Sequence, residues 1–291
     1  MAEKVEFRKN RDFGELVSDT FLFVKQNFKP LLKVFTAFCG AFVLFGIIIA
    51  VIQIITPMNT VRNPTDIINV MDVKNVKGSY LFVSLAIGVF GYVAIYTSIL
   101  SFIALYIKNN NEAPTLEEVW PEFKRLYFSI LASSVVLAIL LILSLVLCIV
   151  PALYVFPAIS LFLPIMVFEE ANFGYSFDKM LKLLKNKWWQ TASSLFVIWF
   201  VIYVSSMLVI GPTMVLNYFT MFTGETGILA TFSTILITIF QYLLQMIMIV
   251  PVIGASLCYF SLDEYHNNTG LMERIDTLGQ KQDAFEHPEE Y

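Results

Sequence analysis

The side chains able to do chemistry are few here, and their spacing suits no reaction. Only two histidines occur, His266 and His287, and neither has metal-ligand company. Cys39, Cys148 and Cys258 lie far apart inside apolar runs, where they read as small packing residues and form no disulfide or zinc framework. Serines and threonines are plentiful, but the apolar runs carry no His, Lys or carboxylate to activate a hydroxyl. No Gly-rich phosphate loop appears. The residues therefore predict no catalytic centre, no cofactor site and no metal site.

Two polar groupings remain. The first is a set of amides within apolar sequence: Gln53, Gln241 and Gln245. Gln241 and Gln245 share a helix face at i, i+4, beside Tyr242. Such amides hydrogen-bond between helices at about 0.6–2 kcal/mol; the other reading is that they line a substrate path. The second grouping is Lys179, Lys182, Lys185 and Lys187 with Trp188 and Trp189. Over 175–189, Phe177, Met180, Leu181, Leu184 and Trp188 form one apolar stripe with the lysines largely off it. A basic amphipathic helix of this kind lies in the headgroup plane, each lysine adding about 1 kcal/mol toward anionic lipid. The competing reading is a cap on the helix ends, its lysines meeting Glu169 and Glu170 or an acidic protein partner.

The elements that carry these groups are set by composition. Hydrophobic residues are 57% of the 291 and charged residues 14%, with mean hydropathy +0.72. A soluble domain has about 25% charged residues, so this chain lacks the charge to cover a water-facing surface. Six charge-free apolar runs, about 34–55, 80–107, 130–150, 152–168, 192–216 and 229–262, predict six membrane spans. A central Asp, Lys or Arg would cost about 2.5–3.5 kcal/mol in any of them. The third and fourth runs touch. One helix over 130–168 would be about 58 Å long, so a hairpin breaking at Pro151 is expected. Pro157 and Pro164 shorten the fourth run and leave open whether 152–168 spans or re-enters. Pro212 and Pro251 are further candidate helix breaks.

Lysine and arginine set the orientation. Sixteen flank one side (Lys4, Arg8, Lys9, Arg11, Lys25, Lys29, Lys33, Lys108, Lys124, Arg125, Lys179, Lys182, Lys185, Lys187, Arg274 and Lys281) and three the other (Arg62, Lys74 and Lys77). The positive-inside rule then places both termini in the cytoplasm and the chain in a cytoplasmic (inner) membrane. No removable signal peptide is read at the N-terminus.

A repeat lies in the punctuation. Val17, Phe21, Val24, Lys25 and Phe28 match Leu116, Trp120, Phe123, Lys124 and Tyr127, and again Phe177, Leu181, Leu184, Lys185 and Trp188, each set at one constant offset. The spacing i, i+4, i+7, i+11 is one helix face. The expectation is an all-α integral membrane fold: three parallel repeats, each an interfacial amphipathic helix leading into a helical hairpin. The units run about 13–107, 115–168 and 175–262 within one membrane domain, 13–262. A cytoplasmic tail precedes it (1–12) and a partly disordered one follows (263–291).

The segment Leu163-Pro164-Ile165-Met166-Val167-Phe168-Glu169-Glu170, with Ser176-Phe177-Asp178-Lys179, Trp188-Trp189 and the opening Phe13-Gly14-Glu15-Leu16-Val17-Ser18-Asp19-Thr20-Phe21, resembles uncharacterised bacterial six-span membrane proteins. These are the YciC-like proteins and the membrane domain associated with glycerophosphodiester phosphodiesterases. The resemblance covers most of 11–262 and implies a helical membrane domain. It does not bring the phosphodiesterase activity, which belongs to a separate barrel. The functional expectation is a non-enzymatic membrane scaffold, assembly or bilayer-organising factor, with membrane lipids, a membrane protein, or both as partners and no nucleic acid. The alternatives are a carrier of lipid-like molecules and an accessory subunit of a membrane enzyme.

Overall fold

The computed structural model describes residues 4–60, 70–147, 149–185, 187–223 and 228–267. Every regular element among them is helical: α1 (Phe13–Gln26), α2 (Phe28–Thr60), α3 (Val70–Lys108), α4 (Leu116–Leu147), α5 (Ile149–Phe168), α6 (Phe173–Leu184), α7 (Trp188–Thr223), α8 (Ile228–Leu243), a 3-10 turn (Leu244–Met248) and α9 (Ile249–Asn267). Hydrocarbon permits little else, because each backbone polar group must be satisfied within its own segment. Five stretches are long and apolar enough to cross a membrane: Phe28–Ile55, Phe82–Lys108, Leu116–Leu147, Trp188–Leu208 and Thr231–Asn267. The apolar stretch of α5, Leu153–Phe168, is shorter. The chain is a multi-pass membrane protein whose described elements are all helical.

Local chemistry sets the helix ends. Thr115 and Glu118 cap α4 reciprocally: the Thr115 N–H donates to Glu118 Oε2 at 2.9 Å, and the Glu118 N–H to Thr115 Oγ1 at 3.4 Å. Glu170 ends α5 in the left-handed region, at φ 48°, which lets the Ala171 N–H reach back to the Met166 carbonyl at 3.1 Å.

The prolines act otherwise than expected. α4 is described to Leu147 and α5 from Ile149, residue 148 lying outside the described residues, so Pro151 stands in the first turn of α5, where a missing N–H costs no helical bond. Helices continue through Pro157, Pro164 and Pro212, as membrane helices do when neighbouring helices and local adjustments absorb the lost bond. Pro251 sits near an interruption inside an apolar stretch. Its ring crowds the carbonyl four residues back, Ile247, which lies within the 3-10 turn.

Three helices form the centre. α3, α5 and α9 pack on one another and hold the longest buried runs, over 93–103, 161–167 and 251–262. Lipid gives little hydrophobic drive between helices, so close approach matters more. Small residues permit it here: Ala94, Ser98, Ala158, Ala255 and Ser256 are all buried. A Cβ on Gly254 would press on the Ile198 Cδ1 atom and touch Thr20, so glycine here lets α9 lie close to α7 and α1 without shifting the Ile198 side chain. α2, α4 and the α7–α8 pair lie outside this centre, each against its chain neighbour. The face bearing residues 4–12, α1, α6 and the 109–115 turn is termed the basal face below.

Candidate functional site at the basal face

Residues 4–12 are not a free tail. Val5, Phe7 and Arg11 are buried, with the Phe7 ring centroid 5.1 Å from Phe23, 5.5 Å from Phe260 and 6.0 Å from Tyr106. The Arg11 guanidinium donates to Asp19 at 2.8 Å and to the carbonyls of Phe7, Lys9 and Glu6. Its backbone N–H donates to Ser261 Oγ at 2.9 Å, and its carbonyl accepts from Gln190 at 3.1 Å. The segment thus ties α1 to α7 and α9.

Next to it opens a cleft of about 650 Å³, lined by both signs of charge: Arg8, Lys108, Arg125 and Lys179 against Glu122, Glu169, Glu170 and Asp263. Lys179, from α6, reaches Glu169 at 2.5 Å and Asp263 at 3.1 Å. The Tyr259 hydroxyl donates to the same Glu169 oxygen at 2.6 Å. Arg125 holds Glu122 at 2.5 Å and Glu170 at 3.0 Å. Burial by itself would lower the Lys179 pKa; the hydrogen bonds to Glu169 and Asp263 outweigh it and hold the ammonium above its ordinary value. The Arg125 hydrogen bond keeps the Glu170 carboxyl below the usual range. A lysine held protonated is no base at neutral pH. The arrangement is an electrostatic clasp joining α4, the α5 end, α6 and α9.

The basic stripe is thereby divided. Lys179 faces inward to its carboxylates, and Lys187 lies 4.4 Å over the Tyr265 ring. Lys182 and Lys185 are exposed. Trp188 stacks on Tyr154 at 5.2 Å and donates its indole N–H to the Tyr154 carbonyl at 3.2 Å, whereas Trp189 is 80% exposed. The protein-facing side of α6 is Ser176, Met180, Leu183 and Leu184, so the two readings of this helix divide between its two sides.

Of the amides, Gln241 and Gln245 come together on a second pocket, of about 340 Å³. Gln53 lies apart from it and donates to the Tyr80 carbonyl at 3.2 Å, an interhelical bond between α2 and α3. No three His, Cys, Asp or Glu among the described residues are grouped to hold a metal ion. Compared with protein families, curated proteins and solved structures, the chain matches none. The C-terminal tail beyond Asn267, with His287, lies outside the described residues.

Proposed function

We propose that this is a non-enzymatic six-span module of the cytoplasmic membrane that sets three amphipathic segments into the headgroup layer, organising the bilayer and other membrane components around it. One observation carries the reading. At the three matched positions Phe21, Trp120 and Leu181 are 39%, 48% and 48% exposed, and the matched Lys25, Lys124 and Lys185 are exposed too. The face one residue earlier is the one that packs: Leu16, Thr20 and Phe23; Val119 and Leu126; Ser176, Met180 and Leu183. Each segment therefore spends one side on protein and keeps a partly exposed apolar anchor beside a lysine. An apolar anchor left next to the bilayer surface is what an interfacial helix buries in the acyl boundary.

The packing supports three repeats. The second segment, continuous with α4, stacks Trp120 on Phe38 of α2 at 5.6 Å. The third, α6, sets Phe173 4.8 Å from Phe162 of α5, and α1 packs on α7 and α9. Each unit leans on the one before it and the first leans on the third, closing a ring. For α5, 20 residues are about 30 Å of helix, one hydrocarbon thickness. The Arg125–Glu170 pair joins its end to the start of α4, as a hairpin requires. Both support six spans.

Nitroxide labels on Phe21→Cys, Trp120→Cys and Leu181→Cys, in the full chain in anionic nanodiscs, test the reading. All three should be more accessible to oxygen than to a water-soluble nickel chelate, and the neighbouring lysine positions less so. Water-phase accessibility at all three would reject an interfacial role and leave a soluble partner to cover them. A second reading, carriage of lipid-like molecules, has the pocket at Gln241 and Gln245 in its favour.

A further inference from the structure

The pocket at Gln241 and Gln245 lies between α2, α3 and the α8–α9 helix. Its walls include Phe42, Ile87 and Gly88 opposite Gln241, Tyr242 and Gln245, and no charged side chain lines it. Counted from Phe28 and Lys108 at 1.5 Å per residue, Phe42 and Gly88 are about 21 Å and 30 Å along their helices. With about 30 Å of hydrocarbon, that depth is the leaflet away from the basal face. Thr238 spends its hydroxyl on the Thr234 carbonyl at 2.7 Å. The side chains of Gln241, Tyr242 and Gln245 make no hydrogen bond with the described residues. Amides without partners are costly in hydrocarbon. The tight 3-10 turn holding Gln245 marks the kind of helix interruption that accompanies functional positions.

The geometry points to a binding site for an uncharged polar amphiphile, recognised at its hydroxyl and ester groups, with the glycerol–ester region of a diacylglycerol-like lipid as the class that fits. The two amides and the phenol supply both donors and acceptors, which match hydroxyls and ester carbonyls. The absence of charge in the lining discriminates against phosphate. A volume of about 340 Å³ takes a lipid's polar waist but not its chains. The chains run outside, along exposed apolar surface such as Phe240, which is 59% exposed beside Gln241. A second copy of the chain is the weaker occupant, because these amides line a recess. The site stands whether or not the interfacial reading of the basal face holds.

The full chain in nanodiscs would be photolysed with a diacylglycerol carrying a diazirine near its ester, and with the matching phosphatidylglycerol probe. The diacylglycerol should label residues 238–246 and be competed by unlabelled diacylglycerol. Labelling should fall at least about fivefold in Gln241→Leu/Gln245→Leu and in Gly88→Leu. A Cβ at Gly88 meets nothing within 4 Å, so that second variant starts its side chain in open pocket space and carries the test if the paired substitution fails to fold. Equal labelling of variants and wild type, or adducts spread over all exposed helices, overturns the proposal. Equal or stronger labelling by the phosphatidylglycerol probe overturns the uncharged class. Native mass spectrometry showing a wild-type dimer and monomeric variants overturns it in favour of a self-interface.

Discussion

Lys179 is the residue whose neighbours most change its meaning. It stands among lysines that read as a lipid-facing stripe, yet its side chain is 18% exposed and bridges carboxylates 17% and 15% exposed. Lys179→Met would leave Glu169 and Asp263 facing each other without a cation. Breaking a fully buried pair costs about 3–5 kcal/mol; partial solvent access reduces this to about 2 kcal/mol. Adding Glu169→Gln and Asp263→Asn should recover most of the loss in thermal unfolding, as coupled sites do in a mutant cycle. The pH edges have opposite signs. The raised Lys179 pKa means its contribution is present below about 10.4 and is lost only as pH rises through the raised value. The lowered Glu170 pKa means the Arg125 contact contributes above about 4.3 and is lost as pH falls through the lowered value. Glu170→Gln should abolish that acid-side component and leave the alkaline edge in place.

At the scale of elements, the N-terminal segment behaves as part of the bundle. Phe7 fills the space between Phe23, Tyr106 and Phe260, so it joins α1, α3 and α9. Phe7→Ala should destabilise the protein by about 3 kcal/mol through the cavity it leaves, seen as a lower unfolding temperature in mild detergent. Arg8→Ala, at an exposed neighbour, should cost well under half as much. A segment that merely trailed from the bundle would show no difference between the two. Sequence periodicity could not reveal this, because residues 4–12 are neither helix nor strand, and burial without a period leaves only scattered apolar letters.

For the whole molecule, the proposed topology puts the basal face in the cytoplasm. Cysteines introduced at Asn69 and Thr223 should react with an impermeant reagent outside intact cells; those at Asn110 and Lys182 should react only after permeabilisation. Labelling of Lys182→Cys from outside would reverse the orientation and, with it, the leaflet assigned to each site.

The sequence by itself determined that the chain is helical and embedded, because charge-free runs of span length have no other stable home. It also marked the positions of the three amphipathic segments, since apolar anchors recur at the helical period at common offsets. Which side of each segment packs was not legible. The stripe through Phe21, Trp120 and Leu181 looks like the buried one, yet these three are exposed, and Leu16, Val119 and Met180, one residue out of phase, are buried, with Leu184 alone of the stripe beside them in α6. Both sides carry apolar residues, so periodicity alone does not choose between them; the neighbouring helices do. Nor did proline positions fix the breaks, since packing around Pro157, Pro164 and Pro212 lets their helices continue. The clasp at Lys179 and the pocket at Gln241 and Gln245 are tertiary facts of the same kind. They join residues as far apart in the chain as Glu169 and Asp263, or Phe42 and Gln245, and only the closing of helices around α3, α5 and α9 brings those side chains together.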